Sequence, residues 1–160
     1  MTIEMLIKGL MWDPVSRTPI VVLKDTSEKN VLPIWVGDLE ADAIHRHLEG
    51  AVPPRPFTHE LLLDSIRSLG AVVERVVITD LKDGTFYAEL QLQRAGESFT
   101  VDARPSDAMA LAQRAGASIF VAEAVLEKST SPDYEDSDQT ERLRRWLEEV
   151  DLEELGNYEM

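Results

Sequence analysis

The β-branched and aromatic residues of this chain are grouped into short runs broken by turn-forming residues, and that grouping rules out an all-helical fold. "TIEMLIKGLMW", "TPIVVLKD" and "NVLPIWVG" are separated by "DPVSR" and "DTSEKN" and read as three antiparallel strands. "AVVERVVITDL" and "TFYAELQLQ" flank Lys82-Asp83-Gly84, a hairpin turn, and "ESFTVDAR" follows a second turn at Arg94-Ala95-Gly96, which predicts a second meander. A last short strand, "SIFVAEAVL", completes the set.

Three helices are predicted between these strands. In "DLEADAIHRHLEG" the residues Leu39, Ala43, Ile44 and Leu48 fall at helical spacing, with Gly50 as the stop. The proline-rich connector "AVPPRP" can continue neither helix nor central strand, and it leads to Thr58 as the expected N-cap of "HELLLDSIRSLG". In that second helix Leu61, Leu62, Ser65, Ile66 and Leu69 form one face. The third, "SDAMALAQRAG", ends at Gly116. The fold class is therefore α+β: a mostly antiparallel or mixed sheet with three packed helices and a C-terminal helical tail. A weak internal echo links "EADAI" (Glu40 to Ile44) with "DAMAL" (Asp107 to Leu111), each after a strand and each followed by a glycine.

The chain divides into a body at residues 1–128, an acidic linker at 129–140 and an amphipathic helix at 141–160, where Leu143, Trp146, Leu147 and Val150 share a stripe. Of the formal net charge of −14, the segment from Ser129 to Met160 carries −8. The body is thus only mildly acidic, although the overall sign argues against a nonspecific binder of long nucleic acid. No apolar run approaches the roughly 18 residues of a spanning helix, and no signal peptide is read at the N-terminus, so a cytoplasmic setting is expected. With no cysteine, a metal would need oxygen or histidine ligands.

The residue types that carry chemistry gather at predicted helix starts. Arg104 precedes Pro105, which biases it toward extended backbone, so its side chain leaves a strand end where the free N–H groups of the next helix point. With the Ser106 hydroxyl this makes an anion-binding corner, and Arg104 and Ser106 are the expected phosphate-binding residues. Alternatively, Arg104 pairs with Asp102 or Glu40 and locks strand to helix. Glu40 and Asp107 are candidate ligands for a divalent metal, Mg²⁺ or Mn²⁺, as in metal-assisted phosphodiester hydrolysis. Helix-dipole stabilisation alone also accounts for acids in a first turn. His59, at a helix N-terminus, is a candidate for activating or positioning water, whereas His45 and His47 are two apart on a helix and point in different directions. The candidate catalytic residues are His59, Arg104 and Asp107. Trp35 and Phe86 are expected in the core, with Tyr87 on the opposite face.

Four blocks in order, "VLPIWVGDLEADAI", "RPFTHELLLDSI", "LKDGTFYAELQL" and "DARPSDAMALAQRAGASIFV", resemble the bifunctional nuclease (BFN) domain family of bacteria and plants. The resemblance covers roughly Ile3 to Lys128, and "LRRWLEEVDLEELG" resembles the helical tail of many bacterial members. It implies an α+β domain, a homodimer or larger homo-oligomer, and hydrolysis of DNA or RNA. The family's most recognisable polar positions fall on Glu40, His59, Asp83, Arg104, Ser106 and Asp107. The first expectation is therefore a metal-assisted nuclease acting on nucleic acid. The alternative is a non-catalytic oligomeric or regulatory module whose Arg-Pro-Ser-Asp corner binds an anion or braces the fold.

Overall fold

Two three-stranded meanders meet in one sheet in the computed structural model, which describes residues 1–27, 29–130 and Arg145. The first comprises β1 (Thr2–Trp12), β2 (Pro19–Asp25) and β3 (Val31–Trp35), and the second β4 (Val72–Lys82), β5 (Thr85–Arg94) and β6 (Glu97–Ala103). β7 (Ser118–Ala122) joins them, antiparallel to β1 and parallel to β4, so the strand order is β3-β2-β1-β7-β4-β5-β6. The mixed α+β sheet expected from the sequence is present. Of the expected linker at 129–140, Ser129 and Thr130 are helical, while residues 131–140 and, but for Arg145, the expected C-terminal helix fall outside the described residues.

The helices among the described residues are α1 (Asp38–Leu48), α2 (Thr58–Ser68), α3 (Pro105–Ala115) and α4 (Glu123–Thr130). α4 corrects the reading of "SIFVAEAVL" as strand throughout. Ile119 and Val121 alternate in the strand, but Val125, Leu126 and Ser129 are buried at helical spacing, so the chain turns helical at Glu123. Lys128 of α4 bonds Asp80 of β4, fastening this helix to the sheet.

α3 explains its own plain sequence. Ala108, Met109, Ala110, Leu111 and Ala112 are all buried because the helix packs against α1, α2, β4 and β5 together. Small side chains allow that close approach, and Gly116, at φ +65°, takes the left-handed turn that ends the helix. Beneath it, Val21, Leu23, Val76, Ile78 and Val121 form the sheet side of the core. A second cluster of Met11, Ile20 and Val22 lies with the partly buried Trp35, and the Trp35 indole donates to Asp13. Phe86 is half-buried against the main core, while Tyr87 is exposed.

α2 departs from expectation. It begins at Thr58 itself, with Phe57 at the N-cap and no side-chain cap bond. Leu63 is its one buried residue, and Leu61, Leu62 and Leu69 face solvent, because α2 rests on α3 and barely touches the sheet.

Candidate functional site

The sheet and helix order carry Glu40, His59, Arg104 and Asp107 to one place. Arg104 directly follows β6 in extended backbone (φ −70°, ψ 145°) and is the N-cap of α3, with Pro105 in the first turn fixing the chain direction. The N-cap residues of α1 and α3, Gly37 and Arg104, make no side-chain cap bond, and the first turns carry the acids Asp38 and Glu40 in α1 and Asp107 in α3. Glu40 and Asp107 are each the third residue of their helix. The weak echo between "EADAI" and "DAMAL" thus has a structural counterpart: equivalent acids, from two helices packed together, on one guanidinium.

That guanidinium donates through Nε to Asp107 Oδ2 and through Nη1 to Glu40 Oε1, both at 2.9 Å. Of the two pairings open in the sequence, Glu40 is the partner, whereas Asp102 lies opposite Glu89 in the β5–β6 register. Asp107 Oδ1 is 2.9 Å from His59 Nε2, which completes a chain Glu40–Arg104–Asp107–His59 across α1, the β6–α3 junction and α2. Burial would raise the Asp107 pKa, but hydrogen bonds from Arg104 and His59 outweigh it and hold the carboxyl below its ordinary value. An ionised Asp107 takes the His59 Nε2–H, which leaves Nδ1 with the lone pair in a neutral ring.

The Arg104 side chain remains 65% exposed, against 33% for Asp107, 21% for Glu40 and 13% for His59. Two of its N–H groups are committed to carboxylates, and the others are open to an anion. Ser106 is buried, so Arg104 is the exposed member of the expected phosphate-binding pair. Asp83 stands at the tip of the β4–β5 hairpin with φ +49°, followed by Gly84 at +75°. An Asp-Gly pair suits that turn, and Asp83 makes no hydrogen bond or ion pair with the cluster.

Glu40 and Asp107 are hard oxygen donors of the kind Mg²⁺ or Mn²⁺ takes. Here both are engaged by Arg104, and no group of three or more His, Asp or Glu side chains suited to a metal ion occurs among the described residues. As arranged, the residues do not form a metal cage. A cleft of about 490 Å³ lies elsewhere, lined by Thr79, Asp80, Tyr87, Glu89, Thr100 and Asp102 among others, and includes none of the four cluster residues.

Sequence reasoning passed over a second polar centre beside the first. The Arg114 side chain is only 6% exposed and donates to the carbonyls of Ala110 in α3 and Ala43 in α1, while its Nε pairs with Glu60 of α2 at 3.0 Å. Burial would raise the Glu60 pKa, but a backbone hydrogen bond and the adjacent Arg114 guanidinium hold it below the ordinary value, although the Nε–Oε1 contact is an ion pair without hydrogen-bond alignment. Burial and the Arg114 charge lower the pKa of His47 nearby. The three helices that present Glu40, His59 and Asp107 are thereby tied at one guanidinium. The legible signal was a long cation, Arg114, amid the small residues of "ALAQRAG".

Fold and cluster together define an α+β domain whose exposed, carboxylate-held arginine lies at the starts of two packed helices. The chain belongs to the bifunctional nuclease domain family, whose family model matches residues 21–133. An uncharacterized protein of Mycobacterium tuberculosis is 40% identical over 143 residues, covering 88% of this chain and 85% of that protein. Bifunctional nuclease 1 of Oryza sativa subsp. japonica is 26% identical over 143 residues, covering 82% of this chain and 43% of the rice protein. A bifunctional nuclease of Oryza minuta matches at the same identity and coverage. No helix among the described residues is long and apolar enough to cross a membrane.

Proposed function

We propose that this chain hydrolyses phosphodiester bonds of DNA or RNA at the Glu40–Arg104–Asp107–His59 cluster. The observation that carries the reading is the state of Arg104, held by two carboxylates yet 65% exposed. Ion pairs as exposed as these contribute only about 0–1 kcal/mol each, so bracing alone is a weak reason for the arrangement. Family membership and the rice relatives named bifunctional nucleases support the same activity.

In this reading the free N–H groups of Arg104 take a phosphate oxygen, where a guanidinium offers paired donors and full charge. Glu40 and Asp107 fix the direction of that group. His59, oriented by Asp107 through Nε2–H, accepts the proton of an attacking water at Nδ1. With neutral imidazole, two carboxylates and one guanidinium leave the cluster at one net negative charge, which opposes a phosphate. Glu40 and Asp107 are the residues that would hold Mg²⁺ or Mn²⁺ if Arg104 released them, and such an ion would offset that charge and supply Lewis acidity.

Arg104→Ala tests the assignment, using short single- and double-stranded DNA and RNA with Mg²⁺, Mn²⁺ or chelator. Cleavage is expected to fall by about 10²-fold or more, as when one oxyanion donor is removed, while thermal unfolding changes little. Undiminished cleavage by the folded variant, or none by the wild type, would remove the assignment and favour the brace. A homodimer belongs to the same reading, because Leu61 and Leu62 of α2 and Leu69 at its C-cap are exposed together. Sedimentation velocity is expected to give a dimer that Leu62→Glu and Leu69→Glu together convert to monomer.

A further inference from the structure

Gly37, the N-cap of α1, has φ −74° and ψ 165°, a conformation open to every L-residue. Its backbone therefore does not require glycine. Space does: a Cβ there would fall deep inside van der Waals contact with Glu40 Oε2 and 3.2 Å from the Glu40 carboxyl carbon. The Glu40 side chain folds back over its own helix start and occupies the volume that any other residue at position 37 would fill. From that seat Oε1 receives the Arg104 Nη1–H at 2.9 Å.

We propose that Gly37 is a positioning residue of the cluster, and that its missing side chain is what allows Glu40 to reach Arg104. The functional half of this inference rests on the nuclease reading above, whereas the geometric half stands without it. The atoms in conflict are at the far end of a flexible side chain, so a substituted protein relieves the clash by swinging Glu40 away. The fold is kept and the Arg104 pairing is lost. Serine makes the distinction sharpest, because it is a slightly better N-cap than glycine. A purely structural role for position 37 predicts that Gly37→Ser is neutral or beneficial in every respect. The positioning role predicts unchanged or higher stability together with a damaged cluster.

The experiment compares Gly37→Ala and Gly37→Ser with the wild type, alone and combined with Glu40→Ala, by thermal unfolding, crystal structure and cleavage of short oligonucleotides. The expected result is melting within a few degrees of wild type, a Glu40 carboxylate displaced from Arg104, and kcat/KM lowered about tenfold. In the Glu40→Ala background the same substitutions should cost nothing further, since the group through which Gly37 acts is gone. A Glu40–Arg104 bond that persists in both variants overturns the inference, as does an equal loss of cleavage with and without Glu40. If the wild type cleaves nothing, the nuclease reading fails by itself and the crystal structures still decide whether Gly37 seats Glu40.

Discussion

Replacing Arg114 by methionine is expected to lower the free energy of unfolding by about 3 kcal/mol, the low end of the range for breaking a buried ion pair. The low end applies because the Glu60 side chain keeps 24% exposure, whereas that of Arg114 keeps 6%. Three interactions disappear together: the pair with Glu60 and the donations to the Ala43 and Ala110 carbonyls. What remains is a half-buried carboxylate whose Oε2 already lacks a hydrogen-bond partner. The cost therefore comes mainly from stranding Glu60, and Arg114→Met combined with Glu60→Leu should recover most of it. The acid limb carries a second signature. Glu60 has a depressed pKa in the folded wild type, so its contribution is complete above the unfolded carboxylate value and is lost as pH falls through the folded one. In Arg114→Met the stranded carboxylate is instead relieved by protonation, and the gap between variant and wild type should narrow with acid. Urea unfolding at neutral pH and near pH 4 measures both. A loss below 1 kcal/mol, or no recovery in the double variant, would show that Arg114 does not hold the three helices together.

The contrast between the two polar centres shows what was legible in the residues. Glu40, His59, Arg104 and Asp107 could be singled out because each lies at a helix boundary, where backbone donors and a fixed chain direction make polar side chains informative. That Glu40 rather than Asp102 takes Arg104 could not be read, since the choice depends on α1 packing beside α3, far away in sequence. Arg114 and Glu60 were missed for the same reason, as neither has a local partner that explains it. The strands were readable by alternation, but "SIFVAEAVL" fits both periods at its end, and the burial of Val125, Leu126 and Ser129 decides for helix. The α2 leucines show the limit of periodicity: a helical stripe was present, but only Leu63 turns fully inward. Gly37 had no signal in the sequence because its role is the volume it leaves empty.

Asp107→Asn should reduce oligonucleotide cleavage by about 10²–10⁴-fold, the contribution of a general base and of the carboxylate that orients it. The substitution keeps the side-chain shape and removes only the charge. Asp107 Oδ1 meets His59 Nε2 and Oδ2 meets Arg104 Nε, so an amide can present its oxygen to one neighbour and must turn its NH₂ toward the other. If the NH₂ faces Arg104, two donors oppose each other and the guanidinium loses its direction. If it faces His59, the ring must accept at Nε2 and carry its proton on Nδ1, the nitrogen that receives the proton of water in this reading. Either arrangement disables the cluster while leaving its outline intact, so the effect should appear in kcat more than in KM. Stability should change far less, because the Arg104 pairing is largely solvent-exposed. What does change is its dependence on acid. The depressed Asp107 pKa supports folding above the unfolded carboxylate value and ceases to do so as pH falls through the folded one, a component that Asp107→Asn removes. Cleavage at the wild-type rate by folded Asp107→Asn would move the chemistry away from this cluster. Cleavage lost only in proportion to unfolded protein would make Asp107 a structural link between α2 and α3.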